Sequence, residues 1–245
     1  MFLGFFRTLL RPGFFEGASD MHSHILPGVD DGMKDSQAAI KALFLLKRLG
    51  YRKVKLTPHF MKDYPGNTRA SIEAQYRTFL SEVKEVSLLH DVELSLGGEY
   101  MLDSCFMDRC EEGFLTLGRN NALVLCETSY MNADPKASEM LYKIMLKGYQ
   151  PVVAHPERYN YATMASYRRW KEKDYLLQLN LLSLAGAYGD MAKAKARALL
   201  KAGMYDYVGT DLHREIDPGR TVYSIRLSKK ERYQLEVLLE NNSKL

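Results

Sequence analysis

The sequence predicts an α/β fold whose strands run parallel. Seven short runs rich in β-forming residues alternate with helical stretches, beginning with the run around residues 18–23. The first helical stretch, 36–49, stops at Gly50, a residue type that often ends helices. Alternation of this kind implies a parallel sheet, which is either open and doubly wound or closed into a barrel.

The remaining elements follow from residue type and from helix-end signals. Further strands are predicted at KVKLT (53–57), ELSLGGE (93–99), ALVLCE (122–127), PVVAH (151–155), YLLQLN (175–180) and DYVGTD (206–211). Helices are predicted over 68–89, from Asp134 to near Gly148, over about 190–201, and from Ser228 onward. In the second of these helices, Asp134 is the cap and Pro135 occupies the first position. Ser228 and Glu231 have the spacing of a capping box.

Composition indicates one globular domain. The chain has 245 residues, 46% of them hydrophobic, which is enough for a sizeable core, and no linker or composition shift divides it. We therefore predict a single domain over 18–245, preceded by an N-terminal arm, 1–17. A net charge of +4 is too weak to indicate nucleic acid as a partner. Three cysteines without a CxxC pair favour a reducing compartment, the cytoplasm.

The arm is apolar but does not have the pattern of a membrane segment. Residues 1–15, MFLGFFRTLLRPGFF, are interrupted by Arg7, Arg11 and Pro12 and are too short to span a bilayer. They also lack the uninterrupted apolar run and small-residue cleavage site of a signal peptide. We expect an arm that packs on the domain, in preference to one that contacts a membrane surface, and we expect no stable membrane insertion.

Nine residues able to bind metal fall at the carboxyl ends of predicted strands or in the loops that follow. They are His22, His24, Asp31, His59, Glu99, Glu127, His155, Asp211 and His213. Barrels and open α/β sheets build their active sites at this end of the strands. Taken alone, each residue has a structural explanation, such as a hydrogen-bonded histidine or a turn aspartate. Together they predict a metal site.

Spacing within this set supports metal binding. His22 and His24 are two residues apart on a strand and so share a face, as do Asp211 and His213. One ion takes about four to six ligands, so five imidazoles and four carboxylates imply two or three divalent ions. Ligation by nitrogen and oxygen without thiolate is compatible with Mn²⁺, Fe²⁺, Zn²⁺ or Mg²⁺, and the high oxygen content favours Mn²⁺.

Two arginines in loops at the same end indicate a phosphate substrate. Arg158 lies in AHPERY and Arg220 lies in HREIDPGR, and the planar guanidinium matches the oxygens of a phosphate. A surface salt bridge with Glu157 or Asp217 is the alternative. A cysteine-dependent phosphatase is excluded, because the positions six residues after the three cysteines hold Glu, Thr and Asn where an Arg is needed.

Several of these stretches occur in the same order in a known superfamily. They are DMHSHILPGVDDG (20–32), TPH (57–59), GGE (97–99), the strand end at Glu127, AHPERY (154–159) and TDLH (210–213). In this order they resemble the PHP (polymerase and histidinol phosphatase) superfamily. HSHILPGVDDG together with AHPERY resembles, more narrowly, the manganese-dependent protein tyrosine phosphatases of bacterial capsule and exopolysaccharide operons. The similarity runs from about Asp20 to Arg220.

The resemblance implies a distorted (β/α)7 barrel, similar to a TIM barrel, with three metal ions. Matched position by position, it implies three ligand sets: His22, His24, Glu99 and Asp211 for the first ion, Glu99, Glu127 and His155 for the second, and Asp31, His59 and His213 for the third. Arg158 and Arg220 match the phosphate-binding arginines, although the spacing between His213 and Arg220 varies in the family. Asp30 is interpreted as a turn residue or as the support of a ligand.

For function, the resemblance implies hydrolysis of phosphotyrosine on a protein, with a bacterial tyrosine autokinase that carries a tyrosine-rich tail as the partner. Divalent ions would activate the attacking water, and Arg158 and Arg220 would offset charge on the phosphoryl group. His59 or a metal-bound water is the candidate general acid. Two alternatives stay open. One is a small-molecule phosphomonoesterase of the histidinol-phosphatase type, and the other is a non-catalytic, metal-bound scaffold for an export kinase.

Overall fold

Helices and parallel strands alternate along the chain in the computed structural model, which describes residues 8–118, 120, 122–214 and 218–245. Within these residues the helices are α1 (Ser36–Leu49), α2 (Arg69–Lys84), α3 (Phe106–Glu112), α4 (Ala137–Leu146), α5 (Met164–Glu172), α6 (Gly189–Ala202), α7 (Pro218–Val222) and α8 (Lys229–Ser243). The strands are β1 (Thr8–Leu9), β2 (Ser19–Asp20), β3 (Lys53–Leu56), β4 (His59–Phe60), β5 (Glu93–Leu96), β6 (Glu99–Met101), β7 (Leu123–Glu127), β8 (Gln150–Ala154), β9 (Leu176–Asn180), β10 (Tyr207–Gly209) and β11 (Arg226–Leu227). Short 3₁₀ turns cover Ser87–Leu89, Pro156–Arg158 and Leu181–Leu184.

The predicted parallel pairing of the strands is confirmed. β10, β9, β8, β7, β6 and β4 lie side by side in that order, and β2, β3 and β5 form a second parallel group. The first and last strand units are also adjacent, because the Asp211 amide donates to the His22 carbonyl (2.8 Å) and the His24 amide donates to the Leu212 carbonyl (3.0 Å). The carboxyl ends of these parallel strands therefore face the same end of the molecule.

An additional short strand, β4, follows the predicted strand over 53–57, and the predicted strand over 93–99 is divided into β5 and β6. These two breaks place two of the predicted ligands. Pro58, after β3, has no amide hydrogen to donate to a ladder, and the chain resumes as β4 at His59. After β5 the chain passes close to its neighbours, since a Cβ on Gly97 would lie 2.3 Å from Leu117 Cδ2. β6 then begins at Glu99, which lies opposite His59 in the sheet. The prediction of one strand over 93–99 is therefore wrong at its end.

Helix ends follow the predicted signals except at the end of α2 and the start of α4. α2 ends at Lys84 and a separate 3₁₀ turn covers Ser87–Leu89, so the prediction of one helix over 68–89 is wrong at its end. The Ser228 hydroxyl accepts from the Glu231 amide, and the Glu231 carboxylate accepts from the Ser228 amide, so the predicted capping box is confirmed. α4 begins at Ala137, and the prediction of a cap at Asp134 is wrong. The Asp134 carboxylate instead accepts from the Lys136 amide in a turn that precedes the helix.

The described part of the N-terminal arm packs against the domain. β1 pairs with β11 in antiparallel fashion, and both Leu10 and Phe15 are buried. The Phe15 ring stacks on Tyr51 with the ring centroids 5.4 Å apart. Residues 1–7 lie outside the described residues, and the prediction for that part of the arm stays a prediction. No helix among the described residues is long and apolar enough to cross a membrane.

Candidate metal centre

The nine predicted ligands meet at the carboxyl ends of the parallel strands. Seven of them are buried: His22, His24, His59, Glu99, Glu127, His155 and Asp211. His213 is half-buried and Asp31 is exposed, so the cluster opens to the surface on their side. The nine residues form four overlapping groups, and the candidate ligand atoms of each group lie within 4.8 Å of one another. All the residues that the sequence singles out as ligands are thus brought together.

The innermost atoms of the cluster are two histidine nitrogens and two carboxylate oxygens. His22 Nε2 and His24 Nε2 lie 3.1 Å apart. Glu99 Oε2 lies 3.3 and 3.2 Å from these two nitrogens, and Asp211 Oδ1 lies 3.4 Å from each. Ligands held at about 2.1 Å from one ion are about 3.0–3.4 Å apart. The observed spacing therefore fits a shared divalent cation.

The hydrogen bonds behind the two histidines determine which ring nitrogen carries the proton. His22 Nδ1 lies 3.1 Å from Gln178 Oε1, and His24 Nδ1 lies 2.9 Å from Asp30 Oδ2. Both partners are oxygen acceptors, so Nδ1 carries a proton, and in the neutral ring Nε2 presents a lone pair to the cluster. Glu99 Oε2 and Asp211 Oδ1 are buried without a hydrogen-bond partner. A buried set of acceptors without donors is the environment that a metal ion satisfies.

Glu99 lies at the centre of the cluster. Its Oε1 is 3.1 Å from His155 Nε2, and its Oε2 is 3.1 Å from His59 Nδ1. Glu127 approaches the same two rings, with Oε1 3.3 Å from His59 Nδ1 and Oε2 3.7 Å from His155 Nε2. A carboxylate with imidazole nitrogens around both oxygens has the geometry to bridge two ions.

The outer part of the cluster is formed by Asp31 and His213. Asp31 Oδ1 lies 3.4 Å from His59 Nε2 and 3.6 Å from His213 Nε2. His213 Nδ1 lies 2.9 Å from the Asp211 carbonyl oxygen, which leaves its Nε2 as the acceptor. His59 therefore faces Glu99 and Glu127 through one nitrogen and Asp31 through the other.

Opposite charges outweigh burial in setting the pKa values of Glu99, Asp211 and His59, whereas burial prevails at His213. Burial alone would raise the pKa of Glu99 and Asp211, yet His22 and the other imidazoles hold both well below the usual range. Burial would lower the pKa of His59, yet Asp31 and the buried carboxylates raise it well above the usual value. Burial and the nearby His24 lower the pKa of His213 to about 4. The buried carboxylates stay anionic and attract cations.

Asp30 supports two of the predicted ligands. Its Oδ2 accepts from His24 Nδ1 at 2.9 Å and from the His59 amide at 3.1 Å, while its Oδ1 accepts from the Gly32 amide. Only glycine fits at position 32, because a Cβ there would lie 2.1 Å from the His24 carbonyl oxygen. Asp30 thus fits both interpretations: Oδ2 supports the ligand His24, and Oδ1 closes a turn with the Gly32 amide. Asp31, its neighbour, points to the outer group.

Two polar residues of β9 also support the cluster, and sequence reasoning missed them. Gln178 Oε1 contacts His22 Nδ1 and accepts from the His155 amide at 3.3 Å. Asn180 Nδ2 donates to Asp211 Oδ2 at 2.8 Å. Both side chains are fully buried in an otherwise apolar strand, YLLQLN. Two polar residues with i, i+2 spacing in such a run are the signal that could have identified them.

Arg158 reaches the cluster through a tight turn. His155, directly after β8, has φ +32°, in the left-handed region that residues with a Cβ rarely adopt. The 3₁₀ turn that follows carries Arg158 back over the strand end, where Nη1 donates to Asp211 Oδ2 at 2.8 Å. The alternative pairing with Glu157 is not observed, since the Glu157 carboxylate accepts from the Asn180 amide and the Tyr205 hydroxyl.

A cavity of about 570 Å³ lies above the cluster. Its lining includes Asp31, His59, Tyr130, His155, Arg158, Tyr188, Asp211, His213, Arg214 and Thr221. Arg214, which sequence reasoning missed, stands at this cavity. Arg220 does not line it: that side chain is exposed and borders a separate hollow with Arg48 and Tyr223. Asp217, the alternative partner of Arg220, lies outside the described residues.

Known proteins share this sequence and fold. The chain is 30% identical over 200 residues to the tyrosine-protein phosphatase YwqE of Bacillus subtilis (strain 168), covering 79% of this chain and 76% of that protein. It is 26% identical over 204 residues to the tyrosine-protein phosphatase CpsB of Streptococcus pneumoniae, covering 79% and 82% of the two chains. It is 24% identical over 199 residues to the putative tyrosine-protein phosphatase CapC of Staphylococcus aureus, covering 79% and 76%.

A solved structure and a family model agree with these relatives. The structure comes from work on YwqE from Bacillus subtilis and CpsB from Streptococcus pneumoniae, described as unique metal-dependent tyrosine phosphatases. It matches with a TM-score of 0.75 and 26% sequence identity over 91% of this chain and 94% of the other. The model for capsular polysaccharide synthesis proteins CpsB/CapC matches residues 18–245. The chain belongs to the CpsB/CapC family of capsular polysaccharide synthesis.

Proposed function

We propose that this protein is a metal-dependent phosphatase that hydrolyses phosphotyrosine on protein substrates. The observation that carries the proposal is that two carboxylate oxygens, Glu99 Oε2 and Asp211 Oδ1, are buried among imidazole nitrogens without a hydrogen-bond partner, next to a cavity lined by Arg158. The relatives are named tyrosine-protein phosphatases, which supports the same activity here.

We propose that the three ligand sets implied by the family resemblance hold three divalent ions, with Mn²⁺ preferred because the donors are imidazoles and carboxylates without thiolate. When bound, such ions acidify water and offset charge on phosphoryl oxygens. The protein's own part is to keep the imidazole lone pairs aimed inward. Gln178 and Asp30 do so by accepting the Nδ1 protons of His22 and His24.

Arg158 is the proposed phosphate-binding arginine. It lines the cavity beside Asp211, and a guanidinium there would donate to phosphoryl oxygens and offset their charge in the transition state. A tyrosine leaving group has a pKa of about 10, so it needs less help from an acid than an alkoxide does. If a proton donor acts, His59 at the cavity floor is the proposed residue. Arg220 stays a proposal from the family resemblance alone.

The proposal extends to the partner, the location and the fold. The protein substrate is proposed to be a bacterial tyrosine kinase with a tyrosine-rich tail that controls polysaccharide synthesis or export. A cytoplasmic location is proposed because Cys105, Cys110 and Cys126 are free thiols. We also propose that the parallel strands form a distorted (β/α)7 barrel, which the hydrogen bonds between the first and last strand units support.

The test compares phosphorylated substrates with the Mn²⁺-loaded protein. A phosphotyrosine peptide is expected to be hydrolysed with a kcat/KM at least about tenfold above that of histidinol phosphate and of a phosphoserine peptide of the same sequence. Chelation should abolish turnover, and Mn²⁺ should restore it. Preference for histidinol phosphate would instead establish a small-molecule phosphatase. Metal binding without hydrolysis of any of the three would establish a scaffold.

A further inference from the structure

The guanidinium of Arg158 is covered by two tyrosine rings. Its central carbon lies 4.3 Å from the centroid of the Tyr130 ring and 4.2 Å from the centroid of the Tyr188 ring. A cation at this distance is attracted to the electron-rich face of an aromatic ring. Because the rings lie over the guanidinium, it contacts other partners through the N–H groups in its plane.

Arg158 donates a single hydrogen bond to the Asp211 carboxylate. Nη1 donates to Oδ2 at 2.8 Å, and Asn180 Nδ2 donates to the same oxygen at 2.8 Å. The other oxygen, Oδ1, faces His22 and His24 and has no hydrogen-bond partner. Arginine and carboxylate often form a two-pronged pair, which here would take Oδ1 away from the cation cluster. The one-pronged contact leaves Oδ1 for a cation.

The two tyrosines come from separate loops and are themselves anchored. The Tyr130 hydroxyl donates to Glu127 Oε2 at 2.9 Å, and its ring lies 5.7 Å from the ring of His155. Tyr188 directly precedes α6, lines the cavity and is held by a hydrogen bond between its hydroxyl and the Asn180 side chain. Burial raises the pKa of both phenols, that of Tyr188 to about 12, so both rings are uncharged at neutral pH.

We propose that Tyr130 and Tyr188 are positioning residues that hold the Arg158 guanidinium edge-on to the cavity. In this position it binds phosphoryl oxygens through in-plane N–H groups and leaves Oδ1 of Asp211 to the cations. The proposal rests on the proposed function, because it gives the rings a part in phosphate binding. A ring that only filled space could be replaced by an aliphatic side chain, whereas a ring that holds a cation could not.

Tyr188 allows the sharper test, because its hydroxyl does not bond to a predicted ligand. Tyr188→Leu is expected to raise the KM for a phosphotyrosine peptide and the inhibition constant of inorganic phosphate about five- to thirtyfold, with a smaller change in kcat. Tyr188→Phe keeps the ring and should restore both constants to within about threefold of wild type. Tyr233→Leu, at a tyrosine exposed on α8, is the matched control. Equal constants for Tyr188→Leu and wild type would overturn the proposal.

A double-mutant cycle with Arg158→Ala distinguishes positioning from direct contact with substrate. If Tyr188 acts through Arg158, adding Tyr188→Leu to Arg158→Ala should change the phosphate inhibition constant by less than about twofold. The same five- to thirtyfold change in both backgrounds would mean that the ring contacts the substrate itself, and would overturn the positioning role. Thermal unfolding of each variant checks that the fold is retained.

Failure of this proposal is distinguishable from failure of the proposed function. Binding of inorganic phosphate to the Mn²⁺-loaded protein can be measured by calorimetry without turnover. If the wild-type protein binds phosphate and the Tyr188→Leu variant binds it more weakly, the positioning role of Tyr188 is supported even if phosphotyrosine is not the substrate. If Tyr188→Leu leaves phosphate binding unchanged, the positioning role is overturned even if phosphotyrosine is hydrolysed.

Discussion

The seven buried ligands and two arginines that come after them in the chain, Arg214 and Arg220, differ in what determines their positions. The buried ligands begin or end strands, directly follow one, or lie beside the Ser23–Leu212 bridge, so that backbone pairing fixes their register, as with His59 opposite Glu99. Arg214 lines the cavity, whereas Arg220, in α7, is exposed and away from it. Strand register therefore brings together the predicted ligands, whereas the position of an arginine proposed to bind phosphate depends on segments that the sheet does not constrain. Each prediction below tests one side of this difference.

The largest effect is expected from Glu99, the central carboxylate of the cluster. Glu99→Gln keeps the side-chain volume but removes the charge that lies within 3.3 Å of four imidazoles. We expect kcat for a phosphotyrosine peptide to fall by about 10³-fold or more, since metal ions contribute several kcal/mol to such reactions. Steady-state kinetics at saturating Mn²⁺ measures this. A loss of less than tenfold would mean that Glu99 does not hold the catalytic cations.

Arg158 should give the next largest effect. Arg158→Ala removes the cavity guanidinium next to Asp211, and we expect kcat/KM to fall by about 10²–10³-fold, as when one transition-state donor is lost. Arg158→Lys keeps the charge but not the planar fork and should recover only part of the loss. Kinetics of both variants at equal metal content separates this role from metal binding. Wild-type rates for Arg158→Ala would exclude Arg158 from the reaction.

Asp30 should affect metal affinity more than the chemical step. Asp30→Asn weakens the acceptor that orients His24 and the His59 backbone, and supporting residues of this kind typically change metal affinity about 10–100-fold. We expect the Mn²⁺ dissociation constant to rise within that range, while kcat at saturating Mn²⁺ changes little. Titration of activity with buffered Mn²⁺ measures both. An unchanged Mn²⁺ requirement would reduce Asp30 to a turn residue.

Arg220 should give the smallest effect. Its side chain is exposed and does not reach the cavity, so we expect Arg220→Ala to change kcat/KM by about twofold or less. Arg214→Ala, at the cavity, is the matched comparison and should raise KM more. A loss for Arg220→Ala as large as that for Arg158→Ala would show that Arg220 contacts the substrate during the reaction. In that case the family resemblance would locate the residue better than the structure does.

Much of the fold could be predicted because the helix and strand signals in this chain are local. The capping box at Ser228 and the β-branched and apolar strand runs each act within a few residues. The break between β3 and β4 also has a local signal, Pro58, but the break between β5 and β6 does not. That break depends on contacts with distant residues, such as Leu117 beside Gly97. Such contacts exist only once the sheet has formed.

The same distinction applies to the site. The nine predicted ligands were identifiable because strand ends in parallel sheets converge, so position along the chain predicts position in space. Gln178 and Asn180 were missed because neutral side chains in an apolar strand have no chemical signature of their own. Tyr130 and Tyr188 belong to loops, and their approach to Arg158 depends on how two loops fold over the strand ends.

The central claim is that the buried acceptor cluster binds divalent cations. The most direct test is the ratio of metal to protein, measured by plasma mass spectrometry after reconstitution with Mn²⁺ and removal of free ions. We expect two or three Mn²⁺ per wild-type chain and at least one fewer in Glu99→Gln, with the fold of both checked by thermal unfolding. Less than one Mn²⁺ per wild-type chain, or a ratio unchanged by Glu99→Gln, would contradict the account.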